Sequence, residues 1–312
     1  MPEALDLWEQ PKAESVYMIA GWRQWADAGS VSSGLPDYLV QQTKARPIGK
    51  ISPDGFYLFQ IPGTHDLVRP VVEFDDGYPK SLEIPRNEFF YTGDEERGVV
   101  IFLGDEPHLD IERYTTALFK AAKTLEVKRI IGLGGVYGEL PYDKERIISG
   151  NYSLPQLKDE VLQLAVTLSD YHGGASIGSY MCRRAGDQNI EYVGLYAFVP
   201  AYTFAEPTQI GNGIRIDNDF MAWLGVMRRG NYMLKIGLNL SDLETRSEQV
   251  VKVMDTKIAE LDRSAPQLGV RDYLAQLAEG FNEVTFAPLS NVWEEEMRRL
   301  LDEDEESSGD KE

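Results

Sequence analysis

Cysteine, histidine and long hydrophobic runs are scarce in this 312-residue sequence, and each shortage excludes a class of protein. The single cysteine, Cys182, cannot form an internal disulfide framework and is typical of a reducing compartment, where we expect it to be a buried, inert thiol. No apolar run approaches the roughly 18–20 residues that a bilayer-spanning helix needs. The first residues, MPEALDLWEQPK, lack the pattern of a signal peptide. We therefore expect a soluble, cytoplasmic protein with no membrane contact.

Basic residues are also few, because 31 Lys and Arg stand against 51 Asp and Glu and leave a formal charge of −20. This balance repels phosphate backbones and anionic lipid headgroups, so we expect no nucleic-acid partner. The acidic stretch 302–312 is expected to be disordered. The rest of the chain, 43% hydrophobic overall, is long enough to bury a large core without disulfides.

The motifs of common catalytic and metal sites are missing too. The three histidines, His65, His108 and His172, lie in predicted loops or at element edges and form no H-E-x-x-H pair, so a zinc site is not expected. No P-loop occurs, and GLGGVYG at 132–138 lacks the last glycine of a dinucleotide fingerprint. The sequence therefore predicts no catalytic residue, no cofactor and no metal.

Two acidic groups are better explained as structural residues than as cation ligands. Asp75-Asp76 and Asp217-Asn218-Asp219 lack the regular ligand spacing of a calcium loop. In so acidic a chain, we expect them to be turn or helix-cap residues.

Short apolar strands alternate with amphipathic helices through much of the chain, which predicts a mostly parallel sheet with right-handed crossovers. Continuous apolar runs, typical of strands covered on both faces, occur at 15–20, 98–103, 128–133 and 190–199. The intervening segment 46–92 predicts one parallel strand with hairpin-like additions. Helical periodicity is found from Val31 to Leu39 and in segments 111–125, 154–168, 176–184, 214–228, 241–261, 268–279 and 289–301.

Three glycine- or proline-containing loops, GWRQWADAG, GLGGVYGELPY and VPAYTFAEP, follow predicted core strands. The carboxyl ends of parallel strands line the crevice where such sheets bind ligands or partners. The alternative is structural: the glycines permit tight turns, the tryptophans cover the core, and Asp27 caps the following helix. The predicted crevice residues are Trp22, Arg23, Trp25, Asp27, Gly29, Gly134, Gly135, Tyr137, Glu139, Pro200 and Tyr202.

The corner 21–29, the loop 134–141 and the segment 194–202 together resemble the proteasome assembly chaperone 2 family. The resemblance implies a three-layer α/β/α fold, similar to nucleoside phosphorylases and hydrolases, over residues 1–240. Bacterial members have a helical C-terminal extension like 241–301, which we expect to pack on that domain. The resemblance also implies a non-catalytic chaperone or scaffold that forms a homo-oligomer, a trimer being favoured, and binds a protein partner.

Two points leave the functional class open. Eukaryotic members dock on proteasomes through a hydrophobic-Tyr-X tail, whereas this chain ends Asp310-Lys311-Glu312. The alternative is a small-ligand binder or an enzyme acting on a nucleoside-like compound in the crevice. Arg23 could then hold a phosphate. Asp27 and Glu139 could form an acid–base pair across the crevice.

Overall fold

The computed structural model describes residues 3–60, 69–203 and 213–286. The strands in these residues are β1 Leu5–Leu7, β2 Ser15–Arg23, β3 Arg46–Ile51, β4 Val71–Asp75, β5 Tyr78–Glu83, β6 Asn87–Gly93, β7 Arg97–Asp105, β8 Val127–Gly138, β9 Ile148–Tyr152, β10 Thr167–Leu168, β11 Tyr192–Thr203 and β12 Gly213–Arg215. The α-helices are α1 Gly34–Thr43, α2 Ile111–Thr124, α3 Lys158–Leu162, α4 Ile177–Asp187, α5 Phe220–Leu234, α6 Ser241–Ser264 and α7 Val270–Glu279.

The centre of the main sheet is parallel, as the continuous apolar runs predict. The strand order is β1-β3-β6-β7-β2-β8-β11-β9-β10, with β12 beside β11. The four central strands, β7, β2, β8 and β11, run in one direction, and Ile19 of β2 lies between Ile101 and Ile131 of its neighbours. Both faces of these strands are buried, which explains why they lack the alternation of a half-exposed strand.

The flanks of the sheet are antiparallel. Strand β6 pairs antiparallel with both β3 and β7, and β9 pairs antiparallel with β11. The segment 46–92 therefore contributes one strand, β3, that runs in the direction of the central four without touching them. The β4–β5 hairpin forms a separate two-stranded sheet.

Helices cover both faces of the sheet and give the three-layer α/β/α arrangement. On one face, α1, α3, α5, α6 and α7 share a buried cluster that includes Leu35, Val161 and Trp223. On the other face, α2 and α4 bury Tyr114, Leu118 and Met181 against the even-numbered residues of β2. The long helix α6 packs on α5 through one apolar stripe, made of Leu243, Val250, Met254 and Ile258.

Two predicted loops are strand instead. Residues 134–138 continue β8, and Pro200 continues β11, where it lies opposite Gly138. The glycines of β8 make room for aromatic rings: a Cβ atom on Gly134 would lie 2.2 Å from Cδ1 of Tyr196. Gly134 therefore makes room for packing within the sheet and not for a turn. The sequence indicated a loop here because clustered glycines are typical of loops.

Two predicted helices have different bounds for physical reasons. In the segment 154–168, α3 ends at Leu162 and Ala165 has a left-handed backbone conformation, so the helix does not continue. The carbonyl oxygens of Leu164 and Ala165 accept hydrogen bonds from the buried guanidinium of Arg229. The predicted helix 214–228 begins only at Phe220, because the Asp219 carboxylate accepts from the first-turn N–H groups and fixes the start of α5.

Several predictions concern residues outside the described ranges. They are the helix 289–301, the disordered tail 302–312, and a loop at His65. The division of the chain at residue 240 stays a prediction. Among the described helices, none is long and apolar enough to cross a membrane.

Candidate functional site

The sheet opens between β2 and β8 at its carboxyl end, and the corner that follows β2 (residues 24–33) fills the opening. Direct pairing of the two strands stops at Ala20 and Gly132. Beyond that point the Ser32 hydroxyl bridges them, accepting from Trp22 N at 2.8 Å and donating to Leu133 O at 2.8 Å. The connections from β2 and β8 leave toward opposite edges of the sheet, so this opening is the topological switch point where α/β sheets bind ligands.

Close backbone contact explains two glycines of this region. A Cβ atom on Gly21 would lie 1.9 Å from Ser32 O, and one on Gly135 would lie 2.1 Å from Ala28 O. Gly135 N also donates to Ala26 O at 2.8 Å. The corner is thus pressed against both strands with no room for a side chain at either position.

Asp27 stabilises the corner from within, but it is not the N-cap of α1 that the sequence predicts, because Ser33 holds that position. Its Oδ1 accepts from the backbone N–H groups of Ser32 and Ser33, each at 2.9 Å, and its Oδ2 accepts from the Ser33 hydroxyl at 2.6 Å. These bonds close the turn that precedes α1, which itself begins at Gly34. Burial raises the pKa of Asp27, and the hydrogen bonds from Ser33 and Ser32 oppose that shift.

The two tryptophans of the corner point to different environments. Trp22 is buried, packs on Phe102 and donates from Nε1 to the Tyr114 hydroxyl at 3.0 Å. Trp25 is 71% exposed. Of the two, Trp25 alone lies at the predicted crevice, because Trp22 still belongs to β2 and faces the core.

A cavity of about 800 Å³ opens at this switch point. We call it the crevice cavity; it lies between the corner, the ends of β8 and β11, β9 and the start of α4. Of the predicted residues, its lining includes Arg23, Trp25, Asp27, Gly135 and Tyr137. This volume lies within the range of small-molecule sites in proteins.

The other predicted crevice residues lie elsewhere. Gly29 is buried and accepts from Trp223 Nε1 through its carbonyl oxygen, and Gly134 lies against the Tyr196 ring. Pro200 lies within β11, beside β8, and is not among the residues that line the cavity.

Glu139 and Tyr202 face the C-terminal helices instead of the crevice cavity. Tyr202 donates to Leu140 O at 2.6 Å, and its ring packs edge-on against Tyr273 of α7. Burial and, next, Glu139 raise the pKa of Tyr273. The acid–base pair of Asp27 and Glu139 is therefore not formed across the cavity.

Sequence reasoning missed the polar floor of the cavity. Ser149 and Asn151 of β9 lie on one side of their strand, and Ser179 of α4 lies 3.1 Å from the Tyr196 hydroxyl. The signals available were the alternation in ISGNY and the serines three residues apart at the start of a helix. Residues 174–178 also match the G-x-S-x-G spacing of a nucleophile elbow, but Ser176 follows no strand and its Oγ caps α4 by accepting from Ser179 N.

Glu106 was also missed, although it lies three residues after the predicted core strand 98–103 and directly after the observed β7. One carboxylate oxygen accepts from Trp25 N at 3.2 Å, and the other accepts from Ile177 N at 2.8 Å. Glu106 therefore ties the corner to the first turn of α4. Burial raises its pKa, opposed by these two backbone hydrogen bonds.

The remaining reactive side chains have structural environments. His108 Nδ1 accepts from Leu58 N, and burial lowers the pKa of its imidazole. Burial raises the pKa of the Cys182 thiol to about 12, so it is protonated at neutral pH. Asp219 is fully buried against Arg146 at 2.7 Å, and Asp76 lies in the β4–β5 turn. No group of three or more potential metal ligands occurs within residues 3–60, 69–203 and 213–286.

Comparison with known proteins gives one family. A family model described as the PAC2 family matches residues 22–258. A proteasome-assembly chaperone homologue from Mycobacterium tuberculosis is similar in structure, with 22% identity, 77% of this chain and 94% of that chain covered, and a TM-score of 0.66. A PAC2 family protein from Streptomyces avermitilis has 21% identity, coverage of 83% and 99%, and a TM-score of 0.66.

An archaeal proteasome activator from Pyrococcus furiosus is a more distant structural relative. It has 16% identity, covers 81% of this chain and 97% of its own, and gives a TM-score of 0.57. At these identities the likeness concerns the fold. No curated protein matches the chain.

Proposed function

The chain belongs to the PAC2 family, and from that membership we propose that it is a non-catalytic assembly chaperone or scaffold that self-associates and binds a protein partner. The structural relatives from M. tuberculosis and P. furiosus are a proteasome-assembly chaperone homologue and a proteasome activator. Both roles involve contact with other proteins, which supports a protein partner for this chain.

The observation that carries the proposal is the β4–β5 hairpin, whose residues are exposed along both strands. Val72 and Leu82 are directly opposite each other, and Phe74 lies two residues along on the same face. Phe74 is 60% exposed and Leu82 is 63% exposed. We call these three residues the apolar hairpin face.

The opposite face of the hairpin carries the polar residues Glu73 and Ser81 beside the exposed Val71. Glu73 pairs there with Lys80 at 3.0 Å and accepts from the Ser81 hydroxyl. An isolated two-stranded hairpin is marginally stable in water, and exposed contiguous apolar side chains are a feature of interaction sites. We infer that the apolar hairpin face packs on a second copy of the chain, and we expect a trimer, as the family resemblance implies.

Light scattering after gel filtration at micromolar protein tests the self-association. The wild type should have an oligomeric mass, and Phe74→Ser with Leu82→Ser should give a monomer with the circular dichroism spectrum of the wild type, because the hairpin is separate from the core. Lys80→Ser, on the opposite face of the hairpin, is the matched control and should keep the wild-type mass. A monomeric wild type, or an oligomer that survives the double substitution, would contradict the proposal.

A further inference from the structure

The rim of the crevice cavity carries exposed aromatic rings, a feature that self-association through the hairpin does not use. Trp25 on the corner, Tyr137 at the end of β8 and Tyr171 before α4 all line the cavity and are all exposed. Phe198 of β11 adds a fourth ring. Aromatic faces around a concave opening offer stacking surfaces to a flat ring.

The floor of the cavity is neutral and rich in hydrogen-bonding groups. The Tyr196 hydroxyl lies 3.1 Å from Ser179 Oγ, and Ser176 Oγ donates to Ser179 Oγ at 3.2 Å. Ser149 and Asn151 continue this polar surface along β9. A hydroxyl has one donor and two acceptor sites, so these groups keep capacity for bonds to a ligand.

Charge at the cavity disfavours an anion. The first-turn N–H of Ile177 in α4, where an anion would bind, is already occupied by Glu106. Glu106 and Ile177 lie outside the lining of the cavity, and among the described lining residues Asp27 is the one carboxylate, with its side-chain hydrogen bonds made within the corner. Among the lining residues that the structure describes, the one cation is Arg23, whose Nε is paired with Asp105 at 2.6 Å. Arg215, outside the lining, lies over the Tyr137 ring at 5.3 Å and is a second cation near the rim.

We propose that the crevice cavity binds an uncharged compound in which a flat aromatic ring is joined to a sugar, as in a nucleoside or an aryl glycoside. The ring stacks against the aromatic rim, Trp25 above all, and the sugar hydroxyls bond to the serine, asparagine and tyrosine groups of the floor. The Asp27 carboxylate in the lining and the net charge of −20 of the chain disfavour the phosphorylated form of the same compound.

Calorimetric titration of the full chain with adenosine, uridine and a phenyl glucoside shows whether a nucleoside or an aryl glycoside is bound. At least one should bind, and its monophosphate should bind more weakly, by roughly tenfold. If none binds at millimolar ligand, or if the monophosphate binds as tightly as the uncharged compound, the proposal is overturned.

Three variants test where the compound binds. Trp25→Ala should weaken binding by roughly tenfold or more through the lost stacking, and Ser179→Ala by roughly threefold to tenfold through a lost hydrogen bond. Trp8→Ala removes an exposed tryptophan that follows β1, the edge strand of the main sheet, and should bind like the wild type. Trp25 is exposed, so its variant should melt like the wild type. Unchanged affinity in both cavity variants would overturn the proposal.

Discussion

Removing one oxygen atom from each of two buried tyrosines should change stability in opposite directions. Tyr114 and Tyr192 are both fully buried. The Tyr114 hydroxyl donates to Asn87 Oδ1 at 2.7 Å and accepts from Trp22 Nε1 at 3.0 Å. The Tyr192 hydroxyl has no hydrogen-bond partner among the residues that the structure describes. The same substitution to phenylalanine therefore removes a satisfied group in one case and an unsatisfied one in the other.

The magnitudes follow from the cost of burying a polar group. An unpaired buried hydroxyl destabilises the folded state by about 1–3 kcal/mol. The oxygen-sized void left in Tyr192→Phe is itself destabilising and offsets a few tenths of that gain. We expect Tyr192→Phe to raise the free energy of unfolding by about 1 kcal/mol. Tyr114→Phe should lower it by about 2 kcal/mol, because the Trp22 N–H is left buried without an acceptor.

Urea unfolding of the wild type and the two variants measures both effects, with each variant serving as the control for the other. The m-value should stay constant, so that the shift in midpoint reports stability alone. A loss of stability in Tyr192→Phe comparable to that in Tyr114→Phe would refute the reasoning, because it would mean that the Tyr192 hydroxyl makes a bond in the folded protein.

Two further predictions concern the carboxylates of the crevice. Asp27→Ala should lower the free energy of unfolding by about 2–3 kcal/mol, since two backbone N–H groups lose their acceptor. Asp27→Asn, measured in the same urea titration, keeps an acceptor oxygen and should lose less than half of this. Equal losses in the two variants would show that the negative charge, and not the acceptor, stabilises the corner. Glu106 binds its proton more tightly in the folded state, so its own contribution to stability should fall as pH rises from about 4.5 through the raised pKa. The difference in unfolding free energy between wild type and Glu106→Gln, followed across that window, should carry this slope, and a flat difference would contradict the raised pKa.

The sequence predicts the centre of the fold because strands buried on both faces leave continuous apolar runs. It also predicts the position of the crevice, since parallel strands bring their carboxyl ends to one edge. Local spacing also indicated that the Asp27 carboxylate accepts from backbone N–H groups near the start of α1, although the cap position itself belongs to Ser33. These features depend on neighbours in the chain, which a single sequence displays.

Features that depend on distant contacts were not predictable in the same way. The glycines of β8 indicated a loop, whereas the ring that occupies the space at Gly134 comes from Tyr196 on another strand. Trp22 lies on the same face of β2 as Met18 and Ala20. The predicted strand ends at residue 20, and a strand extended to Arg23 would have placed Trp22 in the core. Glu106 acquires its role only when α4 is folded against the corner.

The position of β2 between β7 and β8 has a consequence for the order of folding. Its partners on both sides are far along the chain, at 97–105 and 127–138, so closing the centre requires long loops to be ordered first. During synthesis one hydrogen-bonding edge of this apolar strand stays unpaired until residue 105 has left the ribosome, and the other until residue 132 has done so. Nascent chains shorter than that expose an unpaired edge of an apolar strand, which can pair with another chain and aggregate. The central sheet therefore completes its pairing late in synthesis.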